Sequence, residues 1–285
     1  MASMLGGVYV ASVTPFTASG AIDLAALAGH GEWLASHGVE GIVFFGTNGE
    51  GPSIALTEKR RALEHLFARG LRCQIVPAVM EGNLPETLEL VGAIAEMPAA
   101  AVLVLPPYYF KPPSADGLRR FFEPVLAAAR QPVILYHVPK YAVPVPPGLV
   151  ASLDVWGVKD SGGEQGYAEA VRAAGKQVLI GTEDDLWTRL TAGAAGMISA
   201  LANAVPERIV EIYALAQRGD AEAGISLSAR LQQIRAMTKE YAAPAVLKRL
   251  AEARHGRPMG SVRPPLLPAP EDYDPRPILQ LAGLA

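Results

Sequence analysis

Val155-Trp156-Gly157-Val158-Lys159-Asp160-Ser161-Gly162-Gly163 is a short apolar run that ends on a lysine and passes into an acid, a hydroxyl and two glycines. That order predicts a β-strand running into a loop. Strands of a parallel sheet buried on both faces read as unbroken apolar runs, so a lysine closing one sits in a partly desolvated pocket. Desolvation disfavours the ammonium and favours the free amine. A free amine is a nucleophile suited to forming a Schiff base with a carbonyl carbon. The plainer alternative is a lysine that closes the strand by pairing with Asp160 or Glu164, since lysines lie at the surface far more often than inside.

Working outward from this strand, the same alternation recurs. Downstream, a helix is expected over Gln165 to Ala174, a strand over Val178 to Gly181, a helix from Asp184 to Thr191, an eighth strand over Gly196 to Ser199, and a helix opened by Pro206. Upstream, Val133 to Tyr136 reads as a strand, followed by a short helix behind Pro146-Pro147. Ala101 to Leu105 precedes a helix from about Ser114 to Ala129. Before these come Gln74 to Val79 with a helix from about Pro85 to Glu96, Gly41 to Phe45 with a helix N-capped by Thr57, and Gly7 to Val13 with a helix capped by Asp23. Eight strand-helix units at a spacing of roughly 25 residues fit a closed (β/α)₈ barrel better than an open sheet. From Asp220 the strands stop, and Ala221 to Tyr241, Pro244 to Arg254 and a stretch near Ile278 read as helices. We therefore expect an α/β fold: a (β/α)₈ TIM barrel over residues 1–219, with a helical C-terminal extension over residues 220–285 packed on it.

Composition bounds the function. The chain has 285 residues, of which 50% are hydrophobic and 19% charged, and a net charge of −3. Its basic residues are scattered, which leaves no electrostatic footprint for a nucleic-acid partner. No apolar run approaches the length of about 18 residues that would signal a membrane span, and Met1 to Val10 lacks the features of a leader, so a cytoplasmic location is expected. The single cysteine, Cys73, forbids an internal disulfide, fits a reducing compartment, and reads as a small core residue.

In a barrel of this kind chemistry gathers at the C-terminal ends of the strands. After the second strand comes Gly46-Thr47-Asn48-Gly49-Glu50-Gly51, whose glycines let consecutive N–H groups turn inward as a nest for an anion such as a carboxylate. Thr and Asn are equally ordinary turn residues there. The fourth strand leads to Tyr108-Tyr109 and the fifth to Tyr136-His137, and a phenol beside a lysine and a threonine can act as general acid or base or simply as an amphipathic wall. Ser161 either bonds a substrate oxygen or stabilises a turn. His30, His37, His65, His137 and His255 form no HxH or HExxH pattern, and no GxGxxG or GxxxxGK follows a strand, so neither a metal nor a nucleotide cofactor is expected.

Gly46-Thr47-Asn48-Gly49-Glu50, Pro107-Tyr108-Tyr109, Leu135-Tyr136-His137-Val138-Pro139 and Gly157-Val158-Lys159-Asp160, in this order across nearly the whole chain, resemble the signatures of the dihydrodipicolinate synthase and N-acetylneuraminate lyase family. The resemblance implies a pyruvate-dependent class I aldolase or lyase that forms its Schiff base on a protein lysine, without cofactor or metal. Lys159 would form the imine with pyruvate or another 2-keto acid, and Tyr136 would move protons. Thr47 and Asn48 would hold the carboxylate, and Thr47 would also link to the phenol. Tyr109 would enter a neighbouring subunit's site in a homo-oligomer, a dimer or tetramer. Gly181 and Ile198 would line the pocket.

One segment departs from the synthase pattern. Where synthases carry an arginine shortly after the tyrosine, this chain reads Pro139-Lys140-Tyr141-Ala142-Val143. A phenol at Tyr141 does not replace a bidentate cationic fork for a second carboxylate, and Lys140 points the other way if the segment is extended. The charge would then have to come from elsewhere, such as Arg263 or another subunit. Lys159-Asp160-Ser161-Gly162-Gly163 and Ser199-Ala200-Leu201-Ala202-Asn203 look closer to 4-hydroxy-2-oxoglutarate and 2-keto-3-deoxy sugar acid aldolases. We therefore expect an aldolase joining or cleaving pyruvate and an aldehyde. The alternatives are a dihydrodipicolinate synthase of lysine biosynthesis and a non-catalytic keto-acid-binding barrel.

Overall fold

Strands this short and this apolar can be satisfied only if both faces are covered and no edge is left open. A computed structural model, which describes residues 5–284, shows how this chain does it. Strands and helices alternate as β1 (Gly7–Ala11), α1 (Leu24–Ala35), β2 (Gly41–Phe44), α2 (Leu56–Arg69), β3 (Gln74–Val79), α3 (Leu84–Ala95), β4 (Val102–Val104) and α4 (Ala115–Ala128). The second half repeats the order with β5 (Val133–His137), α5 (Pro147–Ser152), β6 (Gly157–Asp160), α6 (Tyr167–Ala173), β7 (Gln177–Ile180), α7 (Leu186–Thr191), β8 (Gly196–Ser199) and α8 (Pro206–Arg218). Each strand pairs in parallel with its neighbour in sequence, and β8 returns to β1, closing the barrel. The helices α9 (Ala221–Met237), α10 (Ala243–His255) and α11 (Arg276–Leu281) follow. The first four residues of the N-terminal stretch considered above and the last residue of the extension lie outside the described residues. Among the described residues no helix is long and apolar enough to cross a membrane.

Period-two alternation divides the strands into two cores. Tyr9, Ala11, Val43, Leu103, Tyr136 and Leu179 belong to a cluster inside the barrel. Val8, Val10, Ile42, Phe44, Leu135 and Val158 pack outward against the helices. Lys159 is in register with Tyr136 on one side and Leu179 on the other, so it shares their inward face. The extension covers one rim: Leu247 and Ala251 of α10, with Met259, are buried against Val13 and Ala200.

Several local expectations shift by a turn. Asp23 caps α1 by accepting from the Ala26 N–H at 2.9 Å, as its position suggests. Thr57, in contrast, is not an N-cap: α2 begins at Leu56, and the Ala55 N–H is satisfied by the Glu58 carboxylate at 3.2 Å, which draws the helix start forward. Helix α9 stops at Met237, four residues short of Tyr241, and α6 begins at Tyr167, after the glycine loop Gly162 to Gly166. Cys73 is only partly buried and precedes β3, and its burial pushes the thiol up to about 11.

Where α1 and α10 meet, His30 is fully buried, its Nε2 3.1 Å from Asn203 Oδ1 and its Nδ1 3.2 Å from His255 Nε2. Burial drives His30 down to about 3 despite the Asn203 bond, and burial with Arg257 and Arg254 nearby drives His255 to about 4. Both folded values lie below the ordinary value, so the unfolded chain binds more protons in the window between them. The contribution is therefore complete above pH ~6.5 and is lost as pH falls toward 3, at about 1.4 kcal/mol per pH unit for one such group. Urea unfolding at pH 7.5 and pH 5.0 should show a loss of about 2 kcal/mol attributable to His30. His30→Gln should remove that part of the loss, and an unchanged pH dependence in the variant would contradict the assignment.

Candidate active site

The ladder between β5 and β6 sets Tyr136 directly beside Lys159. Both are about 96% shielded from solvent, and the Lys159 Nζ lies 4.2 Å from the centroid of the phenol ring. Burial alone would raise the Tyr136 phenol, but the Lys159 charge and the side chains of Thr47, Ser161 and Lys159 outweigh it and hold the phenol below its ordinary value. A phenol that gives up its proton more readily than usual is suited to general acid work nearer neutral pH. Thr47 Oγ1 lies 3.3 Å from the Tyr136 hydroxyl, which ties the end of β2 to the end of β5.

The loop after β2 has the polarity expected of an anion nest. The carbonyls of Gly46, Thr47 and Glu50 accept from the N–H groups of Gly51, Glu50 and Ser53, and that of Gly49 accepts from the Thr14 hydroxyl at 2.7 Å. Among the described residues the N–H groups of Thr47 and Asn48 have no protein acceptor. Four carbonyls of the loop are thus engaged while the Thr47 and Asn48 donors stay free, which favours a carboxylate. Gly181 follows β7, and a methyl group there would strike the Ser161 hydroxyl and come within 3.1 Å of Lys159 Cε, so the close approach of the ends of β6 and β7 depends on a missing side chain. Ser161 donates to the Gly181 carbonyl at 3.2 Å, and Ile198 is buried on β8 in the inner cluster. Lys159, Tyr136, Thr47, Ser161 and Gly181 are thereby brought together.

Two expected site residues are not brought in. Tyr109 is 81% exposed and stacks edge-on against Phe110, away from the constellation in its own chain. Tyr141 is 50% exposed. The segment around it is a turn, not an extended strand, because the N–H groups of Tyr141 and Ala142 both return to the Val138 carbonyl. Lys140 therefore does not point opposite: its ammonium lies 5.1 Å from the Tyr141 ring centroid. Arg263 is committed elsewhere. Its guanidinium holds the Gly20 and Ser53 carbonyls and both oxygens of Glu58.

Behind the catalytic faces, the residues after Tyr136 and Lys159 point outward and form a second network. His137 stacks on Tyr167 with centroids 3.8 Å apart, accepts the Val145 N–H through Nδ1 at 3.2 Å, and meets Glu164 through Nε2 at 2.9 Å. The Nδ1 bond fixes the proton on Nε2. Asp160 takes the Arg189 guanidinium at 2.6 Å and the N–H groups of Gly162 and Gly163. Ligand atoms of His137, Asp160 and Glu164 lie within 4.8 Å of one another, a grouping no local spacing in the sequence reveals. Asp160 spends both carboxylate oxygens on Arg189 and on the N–H groups of Gly162 and Gly163, and the Nδ1 of His137 accepts the Val145 N–H, so these two residues shape the loops after β5 and β6. Sequence reasoning also missed Arg189, Glu183 and Lys248, which act across 16 to 198 positions.

The chain is similar to known proteins. The sequence matches the Dihydrodipicolinate synthetase family over residues 4–279. A DapA-like lyase of Chloroflexus aurantiacus is 33% identical over 275 residues, 92% of this chain and 91% of the relative. A 4-hydroxy-tetrahydrodipicolinate synthase of Kineococcus radiotolerans is 34% identical over 293 aligned residues, 98% of this chain and 94% of the relative. Among solved structures, YagE of E. coli K12, a prophage protein of the dihydrodipicolinic acid synthase family in complex with pyruvate, superposes with a TM-score of 0.91 at 27% identity, covering 99% of this chain and 100% of that one.

Proposed function

This chain belongs to the dihydrodipicolinate synthetase family and is a lyase, and from that membership we propose that it is a class I aldolase forming a Schiff base on Lys159. The observation that carries the proposal is the buried, in-register pair of Lys159 and Tyr136, joined through Thr47 to a loop with free N–H groups. YagE, similar over its whole length, is described with pyruvate bound. The substrate carboxylate rests on the Thr47 and Asn48 N–H groups, which leaves the ketone carbon to the lysine.

The steps follow from charge. The free amine of Lys159 adds to the ketone carbon of a 2-keto acid, and the resulting hydroxyl leaves as water after taking a proton from Tyr136, which gives a protonated imine. The iminium accepts the electron pair of the adjacent C3–C4 bond when the C4 hydroxyl loses its proton, so an aldehyde departs and an enamine remains. Protonation at C3 and hydrolysis then return pyruvate and the amine. Tyr136 and Thr47 relay the protons. Ser161, Gly181 and Ile198 wall the pocket. Tyr109, exposed in one chain, completes the site of a neighbouring copy in a homo-oligomer.

The aldehyde end is read from what surrounds Tyr141. A guanidinium clamp on a second carboxylate is worth about 1.5–3 kcal/mol, or ten- to a hundredfold. The turn at residues 139–142 carries none, and Arg263 is occupied by Glu58 and two carbonyls. We therefore expect kcat/KM for cleavage of hydroxylated or apolar-tailed 2-keto acids to exceed that for condensation of pyruvate with aspartate semialdehyde, with Tyr141→Arg raising the latter about tenfold. Side-by-side steady-state kinetics test this. A preference for the semialdehyde with no gain from Tyr141→Arg would instead favour the synthase activity for which the Kineococcus relative is named.

A further inference from the structure

The loop that offers its N–H groups to the carboxylate is held by its own backbone bonds and also by contacts from the C-terminal extension. Its last polar residue, Glu50, has a left-handed backbone, with φ of 57°, which an L side chain adopts at a cost. The Glu50 side chain is fully shielded, and Lys248 of α10, 198 positions later, is 1% exposed. Lys248 donates to Glu50 Oε1 and to the Ser261 carbonyl, each at 2.7 Å, and its ammonium lies 4.2 Å from the centroid of the Phe16 ring. The other carboxylate oxygen, Oε2, accepts the Arg263 N–H at 2.7 Å. The C-terminal extension therefore grips the loop at the Glu50 carboxylate, and Arg263 also holds the Ser53 carbonyl just beyond it.

Buried ion pairs are a poor source of stability, because apolar residues of similar size usually replace them at little or no cost. Such a pair is well suited to fixing geometry. Glu50 lies two residues from Asn48 and three from Thr47, and its left-handed backbone turns the following Gly51 N–H back onto the Gly46 carbonyl at 3.0 Å, closing the turn that contains both. We infer that the buried Glu50 and Lys248 pair is a positioning device: it locks the Thr47 and Asn48 N–H groups in the orientation that receives the substrate carboxylate, and so makes the helical extension part of substrate recognition. The inference rests on the aldolase reading for its substrate, but its physical content, an anchored loop, does not.

The test uses the full chain and three variants: Glu50→Gln, Lys248→Met, and the double variant Glu50→Gln with Lys248→Met, which leaves no buried charge unpaired and keeps the fold even where Lys248→Met alone does not. Borohydride trapping on Lys159 is measured against the concentration of pyruvate and of its uncharged methyl ester. Half-saturating pyruvate should rise about ten- to a hundredfold in Glu50→Gln and in the double variant, the scale of lost charged hydrogen bonds. The ester should shift by less than about twofold, and the maximal trapping rate should hold within about threefold, because only carboxylate binding is removed. Charge alone predicts the opposite for Glu50→Gln, whose unpaired ammonium would attract pyruvate and lower its half-saturating concentration. Amide hydrogen exchange across residues 46–51 should quicken in the same variants while the strands keep their protection. Equal shifts for pyruvate and ester, tighter pyruvate binding in Glu50→Gln, or unchanged exchange in the loop would overturn the inference. A wild-type chain that pyruvate does not label would overturn the aldolase reading instead, and the exchange measurement would still decide the anchor.

Discussion

Lys159→Arg is expected to abolish turnover, with a loss on the order of 10⁴ to 10⁶, the scale seen when the covalent member of a catalytic unit is removed. Arginine keeps the positive charge beside Tyr136 but cannot give up a proton to become a nucleophile. The longer head adds bulk inside the barrel at a cost of about 1–3 kcal/mol, so Lys159→Ala serves as the companion that opens space instead. In the wild type, pyruvate with borohydride should leave a reduced adduct on the peptide that carries Lys159, read as a mass increase. Neither variant should show it. An adduct on Lys140 or Lys176, or residual turnover above a few per cent in both variants, would rule out Lys159 as the nucleophile.

Tyr136→Phe is expected to lower turnover by about 10²- to 10⁴-fold, the usual worth of a positioned acid or base. Trapping of the imine should survive better than cleavage, because trapping needs only one step assisted by the phenol, the departure of water, whereas cleavage also needs the C4 hydroxyl proton removed and C3 protonated. The pH profile carries a second signature. A group that acts as an acid loses its effect as pH rises through its own pKa, and the Lys159 charge holds Tyr136 below the ordinary phenol value. The wild-type profile should thus show an alkaline limb below pH ~10 that is missing in the variant. In the same assays Tyr109→Phe should cost less, and its effect should fade when the oligomer is dissociated. Retention of activity within about threefold in Tyr136→Phe would reduce the phenol to a wall residue.

The barrel was legible because short runs rich in apolar residues recur at regular spacing and several of the helices between them, α1, α3, α4, α5 and α8, open on a capping side chain or a proline, so β1 to β8 could be read from local pattern alone. Lys159 and Tyr136 were legible for the same reason, since a polar residue ending such a run stands out against it. The exact start of α2 was not, because whether Thr57 or Ala55 precedes the helix depends on a carboxylate three residues on, and that carboxylate is shared with Arg263 more than 200 positions away. The direction of Lys140 depends on whether its segment is extended, and it is not, because the Tyr141 and Ala142 N–H groups both return to the Val138 carbonyl, which no residue pattern there marks. Nothing local marks Lys248 or Arg189, which earn their roles only once the barrel has closed and brought distant charges to one rim.

Because Tyr136 and Lys159 face each other across one rung of the β5 and β6 ladder, the backbone separation between the proposed acid and nucleophile is set by strand spacing, about 4.8 Å, and not by any loop. The proposed chemistry is in this sense built into the chassis, while Lys140 and Tyr141 sit on an exposed turn before the buried residues Ala142, Val143 and Val145. Substitution of that exposed pair leaves the rung between β5 and β6 untouched, so changes of specificity can be sought there without redesign of the barrel.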